Sequence, residues 1–420
     1  MSFIIDVFLF PEFIMGLIIL VGTSLLGKSW SERIESTVQT ILGFMVLQIG
    51  SMVVVNSLTP FSEMFDKAFG LTGLMLEDNA VSQFIQMALG KETALILVVG
   101  FVMNLVFARL TPLKFIYLTG NMLFTSAAVF ALALKQLDLS LGWIILVGGL
   151  VQGLYSVIFP AISYRSVKAV TREKEPLGLA FPGSSLIAFS SAVGGKIGKN
   201  SADAEEIPFP ESLAFLKNRS VTMALVMSVI FTITSFFVKH DEMMEISQHI
   251  HPIIFSIATA LEFTAGVTLI LYGVKLFVQE LVPAFKGISE RMVPGAKASV
   301  GVPIFMPYGE NALLLGFIVA FITSVITLLL TRALGIVILP SVTALFFVGG
   351  VSGVFGNRRG GWIGAVVAAV ITSICLSLTG ILAYYLLALN QLDLTGLTLG
   401  YPDIVLVAAL IKIIGRLFGL

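Results

Sequence analysis

Apolar runs of about twenty residues, parted by short polar breaks, occupy most of the 420-residue chain. Each run is long enough to cross the roughly 30 Å hydrocarbon core of a bilayer as a helix. The pattern predicts spans near 8–27, 37–57, 93–108, 115–134, 141–162, 221–238, 252–277, 312–331, 333–350 and 362–389, with 403–420 as a further candidate. The fold class expected is therefore an all-α polytopic membrane protein with ten or eleven transmembrane helices. Broken or re-entrant segments are expected among them.

Three stretches interrupt the pattern. Gly70 to Glu92 holds Glu77, Asp78, Asn79, Gln83 and Gln86, and Pro294 to Asn311 holds three prolines, three glycines, Glu310 and Asn311. Leu177 to Gly198 is apolar, rich in small residues and too short to span, which fits a re-entrant piece or an amphipathic surface helix. Non-helical backbone at membrane depth persists only where protein covers it or a watery cavity borders it. The first two stretches are accordingly the expected solute site, with Asp78, Asn79, Glu310 and Asn311 as candidate contacts. Asn121 lies inside a predicted span with Thr125 one turn on, and is either helix-to-helix glue or a ligand contact. Ser184 and Ser185 follow Pro182-Gly183 and are either packing residues or ligand contacts.

The interruptions recur. Gly50, Val55, Leu58 and Pro60 return as Gly273, Val278, Leu281 and Pro283; Glu92-Thr93-Ala94-Leu95 returns as Glu310-Asn311-Ala312-Leu313; Phe181-Pro182-Gly183 returns as Tyr401-Pro402-Asp403. The order is kept at a shift near 220 residues, the pattern of a duplicated transporter. The expected halves are residues 1–215, five spans with a re-entrant segment and a cytoplasmic connector, and residues 216–420, five to six spans.

Charge orients the halves. Loops after odd-numbered spans carry 17 basic residues and loops after even-numbered spans carry five. The positive-inside rule then puts the N-terminus outside and the basic loops in the cytoplasm. Five spans per half inverts the second half relative to the first. Met1 to Pro11 has no basic n-region, so the first run is expected to be a retained helix.

Composition narrows the chemistry. Only 12% of residues are charged, the net charge is zero and mean hydropathy is +1.00, which excludes a nucleic-acid surface. The single Cys375 forms no thiol motif, and the loosely spaced His240, His249 and His251 make no metal site. No phosphate-binding Gly-x-x-x-x-Gly-Lys-Ser/Thr loop and no nucleophile–histidine–acid arrangement occurs. No cofactor, metal or catalytic residue is expected, so the chain reads as a transport subunit rather than an enzyme.

The run Thr37 to Ser51, TVQTILGFMVLQIGS, and the run Gly273 to Ala296, GVKLFVQELVPAFKGISERMVPGA, resemble the ascorbate-type membrane component IIC of the bacterial phosphotransferase system. Leu118-Thr119-Gly120, Val354-Phe355-Gly356-Asn357 and Gly360-Gly361-Trp362 fit as well. The resemblance, over about residues 37–390, implies an inner-membrane homodimeric permease of eleven spans in inverted repeats. It implies a sugar-like solute moved inward by alternating access and phosphorylated by a phosphocysteine on a separate IIB protein, itself recharged by a IIA protein. The basic stretch Arg165 to Lys174 is then a docking face for IIB. The departures bear on the solute. Ascorbate-type members carry histidine and glutamine where this chain has Asn121 and Thr125, a His-Gln run at Gly183-Ser184-Ser185, and an aspartate that falls on Gly301. Asp78 sits at the symmetry-related place, as though the ligand carboxylate had crossed the pseudo-twofold axis. A polyol, pentose or hexose therefore stands beside ascorbate as the expected solute. The rival class is a transporter driven by an ion gradient through Asp78, Glu262 or Glu310.

Overall fold

A computed structural model describes residues 11–70, 73–173, 175–206, 218–392, 394 and 396–419. Its helices, in chain order, are α1 (Pro11–Leu25), α2 (Trp30–Phe69), α3 (Asp78–Leu110), α4 (Gly120–Lys135), α5 (Leu141–Thr171), α6 (Ser184–Ile197), α7 (Arg219–Ser235), α8 (His240–Ile246), α9 (Pro252–Arg291), α10 (Glu310–Ala333), α11 (Val342–Leu386) and α12 (Pro402–Leu417). Six of these, α2, α3, α5, α9, α10 and α11, are long and apolar enough to cross a membrane. Their outward faces carry exposed Leu42, Ile49, Met52, Leu146, Ile162, Leu329 and Leu378, the surface a bilayer covers and water would not. The chain is an all-α polytopic membrane protein. Other predicted spans are covered by shorter described helices: α4 and α12 have 16 residues each, and α1 is described for 15, from Pro11 on.

Helix starts follow local chemistry. Ser29 caps α2 in a reciprocal box, its hydroxyl accepting from the Glu32 N–H while the Glu32 carboxylate accepts from the Ser29 N–H at 2.8 Å. Gly70, at φ 58°, ends the same helix in the left-handed conformation. Pro60 and Pro283 sit inside the long helices α2 and α9.

Those two helices form the central seam and run antiparallel. A Cβ on Gly50 would lie 2.6 Å from the Ile270 nitrogen and 2.8 Å from the Gly266 oxygen, and one on Gly273 would lie 2.8 Å from the Gly43 oxygen. Backbone-to-backbone contact at this range is open only to glycine, and in lipid close packing replaces the hydrophobic effect as the force between helices. Phe61 of α2 stacks on Phe231 of α7 at 4.7 Å, and Gly22 of α1 abuts Gly287 of α9.

Among the described residues six short strands lie at the helix breaks: β1 (Leu74–Leu76), β2 (Phe115–Tyr117), β3 (Leu177–Leu179), β4 (Lys297–Val300), β5 (Ile338–Leu339) and β6 (Leu397–Thr398). They pair in parallel as two three-stranded sheets, β5-β1-β6 and β2-β4-β3. Each sheet takes its central strand from one half of the chain and both edges from the other. Lys297 follows Leu74 by 223 residues, Ile338 follows Phe115 by 223, and Leu397 follows Leu177 by 220.

The structure revises two expectations about the breaks. Gly70 to Glu92 is not irregular throughout: α3 begins at Asp78, and the interruption within it is a kink at Leu89, φ −128°. Its counterpart is Gly309, where the 3-10 turn Val302–Tyr308 gives way to α10. Asn121 does not lie within a span but on the exposed first turn of α4, because β2 occupies the preceding residues.

A side chain at Gly50 should therefore force α2 and α9 apart. Gly50→Val is expected to lower stability by about 1–3 kcal/mol through overpacking. Gly142→Ala, where a Cβ meets nothing within 4 Å, should leave it unchanged. Thermal unfolding of the two variants in detergent makes the comparison.

Candidate functional site

Parallel strands deliver their carboxyl ends to one place, and here every strand end feeds a helix start. In the β2-β4-β3 sheet these are α4 after Thr119, the Val302–Tyr308 turn after Gly301, and α6 after Gly183. In the β5-β1-β6 sheet they are α3 at Asp78, α11 after Ser341 and α12 after Tyr401. Free backbone N–H groups and the positive dipole end of each helix gather there.

The sheet edge is held by a buried amide. Asn104 of α3 donates to the Phe115 carbonyl at 3.0 Å and accepts from the Tyr117 N–H at 2.9 Å, taking the place of a fourth strand beside β2. Thr119 lies against Gly301, where a Cβ would sit 3.4 Å from the Thr119 Oγ1.

The two sets of helix starts meet through the tips of α6 and α12. The Asp403 N–H donates to the Pro182 carbonyl at 2.9 Å, and the Phe181 and Tyr401 rings meet edge to face at 4.9 Å. The Asp403 carboxylate accepts from the Ser184 hydroxyl at 3.1 Å, from the Ser185 N–H at 3.2 Å, and from the Ser185 hydroxyl. Asp78 reaches the same turn, accepting from the Gly400 N–H at 3.0 Å. Both carboxylates are buried, and among the described residues neither forms an ion pair. Tyr117 and Tyr155, with ring centroids 6.0 Å apart, are both buried, and their hydroxyls face each other.

Asp78, Ser184 and Ser185 thus converge on the 400–403 turn. Thr125 is buried one turn after Asn121 and donates to the Asn121 carbonyl at 3.0 Å. The Asn79 side chain lies outside the described residues. Glu310 and Asn311 serve another network. Asn311 donates to the Ala204 carbonyl at 3.1 Å, Glu310 pairs with Arg219 at 3.1 Å, and Arg219 also reaches Glu205 at 3.4 Å. Glu205 in turn accepts from the Ala312 N–H at 2.9 Å, an acidic group at the start of α10. Asp203 accepts from Asn357 at 2.6 Å and pairs with Arg358 at 3.3 Å. The connector Ser201–Glu206 is thereby fastened to α10 and α11, and these two candidates with it. Asp403 is not among the residues singled out by the sequence pattern, although Phe181-Pro182-Gly183 and Tyr401-Pro402-Asp403 occupy equivalent places; an acid opposite a glycine there is the available signal.

Broken helices, polar groups within a lipid-facing shell and convergent helix starts define a polytopic solute-transport protein. The chain belongs to the family of PTS system sugar-specific permease components, matching it over residues 6–403. It is also 25% identical over 415 residues to the ascorbate-specific PTS system EIIC component of Mycoplasma pneumoniae (strain ATCC 29342 / M129 / Subtype 1), covering 85% of this chain and 62% of that protein. The chain thus spans less than two thirds of that relative. Membership makes the chain a multi-pass permease component of that family.

Replacing Asn104 by leucine should strand the Phe115 carbonyl and Tyr117 N–H in the core. The expected loss is about 1–3 kcal/mol for each buried group left unpaired. It is measured as a lower melting temperature in detergent with no change in helical content by circular dichroism.

Proposed function

We propose that this chain is the membrane component of a phosphoenolpyruvate-dependent phosphotransferase system that moves a small hydroxylated solute inward. In this reading residues 1–215 and 216–420 are inverted-topology repeats, and the solute sits between the strand ends of the two sheets, contacted by Asp78, Asn79, Asn121 and Thr125 with the α6 and α12 tips. A separate IIB phosphocysteine phosphorylates it on arrival. The protein works as a homodimer in the bacterial inner membrane with its N-terminus outside. The observation that carries this is the exchange of strands between halves, each sheet mirroring the other at a shift of 220–223 residues. A site formed at the junction of two equivalent halves is what alternating access requires.

The two sheets differ at their far ends, which supports a direction. The β2-β4-β3 sheet opens beside Lys114, Lys168 and Lys297, with the Lys297 ammonium 5.2 Å from the Phe115 ring centre and 5.1 Å from that of Tyr164. Burial, then the charges of Lys168 and Lys114, push the Lys297 ammonium down from its ordinary value. The corresponding positions in the other sheet are Val337, Ala388 and Leu74. These ammonium groups lie at the surface, where Lys168 also pairs with Glu173 at 3.0 Å, and they suit the approach of a phosphorylated protein from the cytoplasm.

In cells supplied with the cognate IIA and IIB proteins, labelled solute should accumulate as its phosphate ester, and without IIB it should not accumulate. Accumulation of unmodified solute would identify the gradient-driven class instead. Asp78→Asn should reduce uptake more than tenfold while the protein inserts at normal yield; near-normal uptake would remove Asp78 from the site.

A further inference from the structure

The hydrogen bonds around Asp403 have the form of a recognition event. Two hydroxyls on adjacent residues, Ser184 and Ser185, each address a different oxygen of one carboxylate. That is how a carboxylate holds a vicinal diol, since an ionised carboxylate only accepts and its two oxygens can be satisfied by neighbouring O–H groups. The serine pair plays the diol's part in this arrangement. The Ser184 hydroxyl also lies 3.3 Å from the Phe159 carbonyl, a second acceptor for it. The surroundings continue the theme. Tyr117 and Tyr155 bring two buried hydroxyls that face each other, and Asp78 brings a second carboxylate to the 400–403 turn.

Charge is as one-sided as the hydrogen bonding. The groups facing the turn from β2, α3, α5, α6 and α12 are carboxylate, hydroxyl, phenol and backbone amide. The described ion pairs all lie elsewhere, at Lys168–Glu173, Arg219 with Glu205 and Glu310, Lys239–Glu242 and Arg358–Asp203. The Ser185 and Gly400 N–H groups at these helix starts already serve Asp403 and Asp78, so a further anion meets like charge at low dielectric, whereas an uncharged polyol loses only hydration that these acceptors replace.

We infer that Asp403 is the diol-binding carboxylate of the solute site and that, with Asp78, it selects an uncharged polyhydroxylated solute over an anionic one. This rests on the permease reading above and narrows its solute. The serines are the internal competitor that a sugar or polyol displaces from Asp403.

The test uses the full-length protein in detergent and matched solutes that differ at one end only: glucitol with gluconate, ribitol with ribonate, and ascorbate as a further anion. Calorimetry should find at least one polyol binding with a Kd at least tenfold below that of its acid partner. Asp403→Asn, accepted only if monodisperse and melting as the parent does, should weaken that polyol at least tenfold and leave the anions no weaker. Should that variant fail to fold, Ser184→Ala/Ser185→Ala carries the test. Freed of its internal diol, Asp403 should bind the polyol several-fold more tightly, and unchanged or weaker binding would overturn the assignment. The inference also falls if no polyol binds, or if ascorbate or an aldonate binds as tightly as the best polyol. Ascorbate bound tightly and recovered as its phosphate ester would overturn the inference while leaving the permease reading intact. A polyol bound through Asp403 but accumulated unmodified would do the reverse.

Discussion

Every backbone amide that leaves a helix inside a membrane must find a partner within the protein, because lipid offers none. The two small parallel sheets meet that requirement at the breaks, and the rest of the architecture follows from it. A break that feeds a three-residue strand can be tolerated only if other breaks arrive at the same level to pair with it. The strands therefore tie the positions of the breaks together, and with them the helix starts that surround the polar cluster. Asn104 closes the outer edge of β2, where no further strand arrives.

Parallel pairing has a second effect. Because three strands point the same way, their following helices begin side by side, and three sets of free N–H groups face one volume. Such a volume prefers acceptor groups. In this structure it holds the Asp403 carboxylate at the α6 tip and the Asp78 carboxylate at the first turn of α3. Buried acids without cations are costly in hydrocarbon, and the surrounding N–H and O–H donors are what offset the cost.

Much of the architecture was legible in the amino-acid order. Long apolar runs announced the membrane class, and the recurrence of Gly50 and Pro60 as Gly273 and Pro283 marked the two antiparallel seam helices. Proline and glycine in Pro294 to Asn311 located the second-half break. The strands were not legible, because three residues carry no period to detect. The start of α3 was misplaced because Glu77, Asp78 and Asn79 read as loop, whereas an acid at a helix start is stabilised there. Glu310 and Asn311 looked like site residues by composition, yet their partners, Ala204 and Arg219, lie about a hundred residues earlier in sequence. Asp403 escaped for a related reason: its importance comes from Ser184 and Ser185, brought to it only by the meeting of α6 and α12.

The order of strands in the sheets also constrains biosynthesis. β2 and β3 are neighbours of β4 and not of each other, so both must wait, already inserted, until Lys297–Val300 emerges from the ribosome. For that interval the nascent chain holds two unpaired strand edges and two helix starts with nothing opposite them. Completion of the sheet is thus tied to the segment that follows α9, and a product stopped before Lys297 would hold β2 and β3 without the strand that joins them.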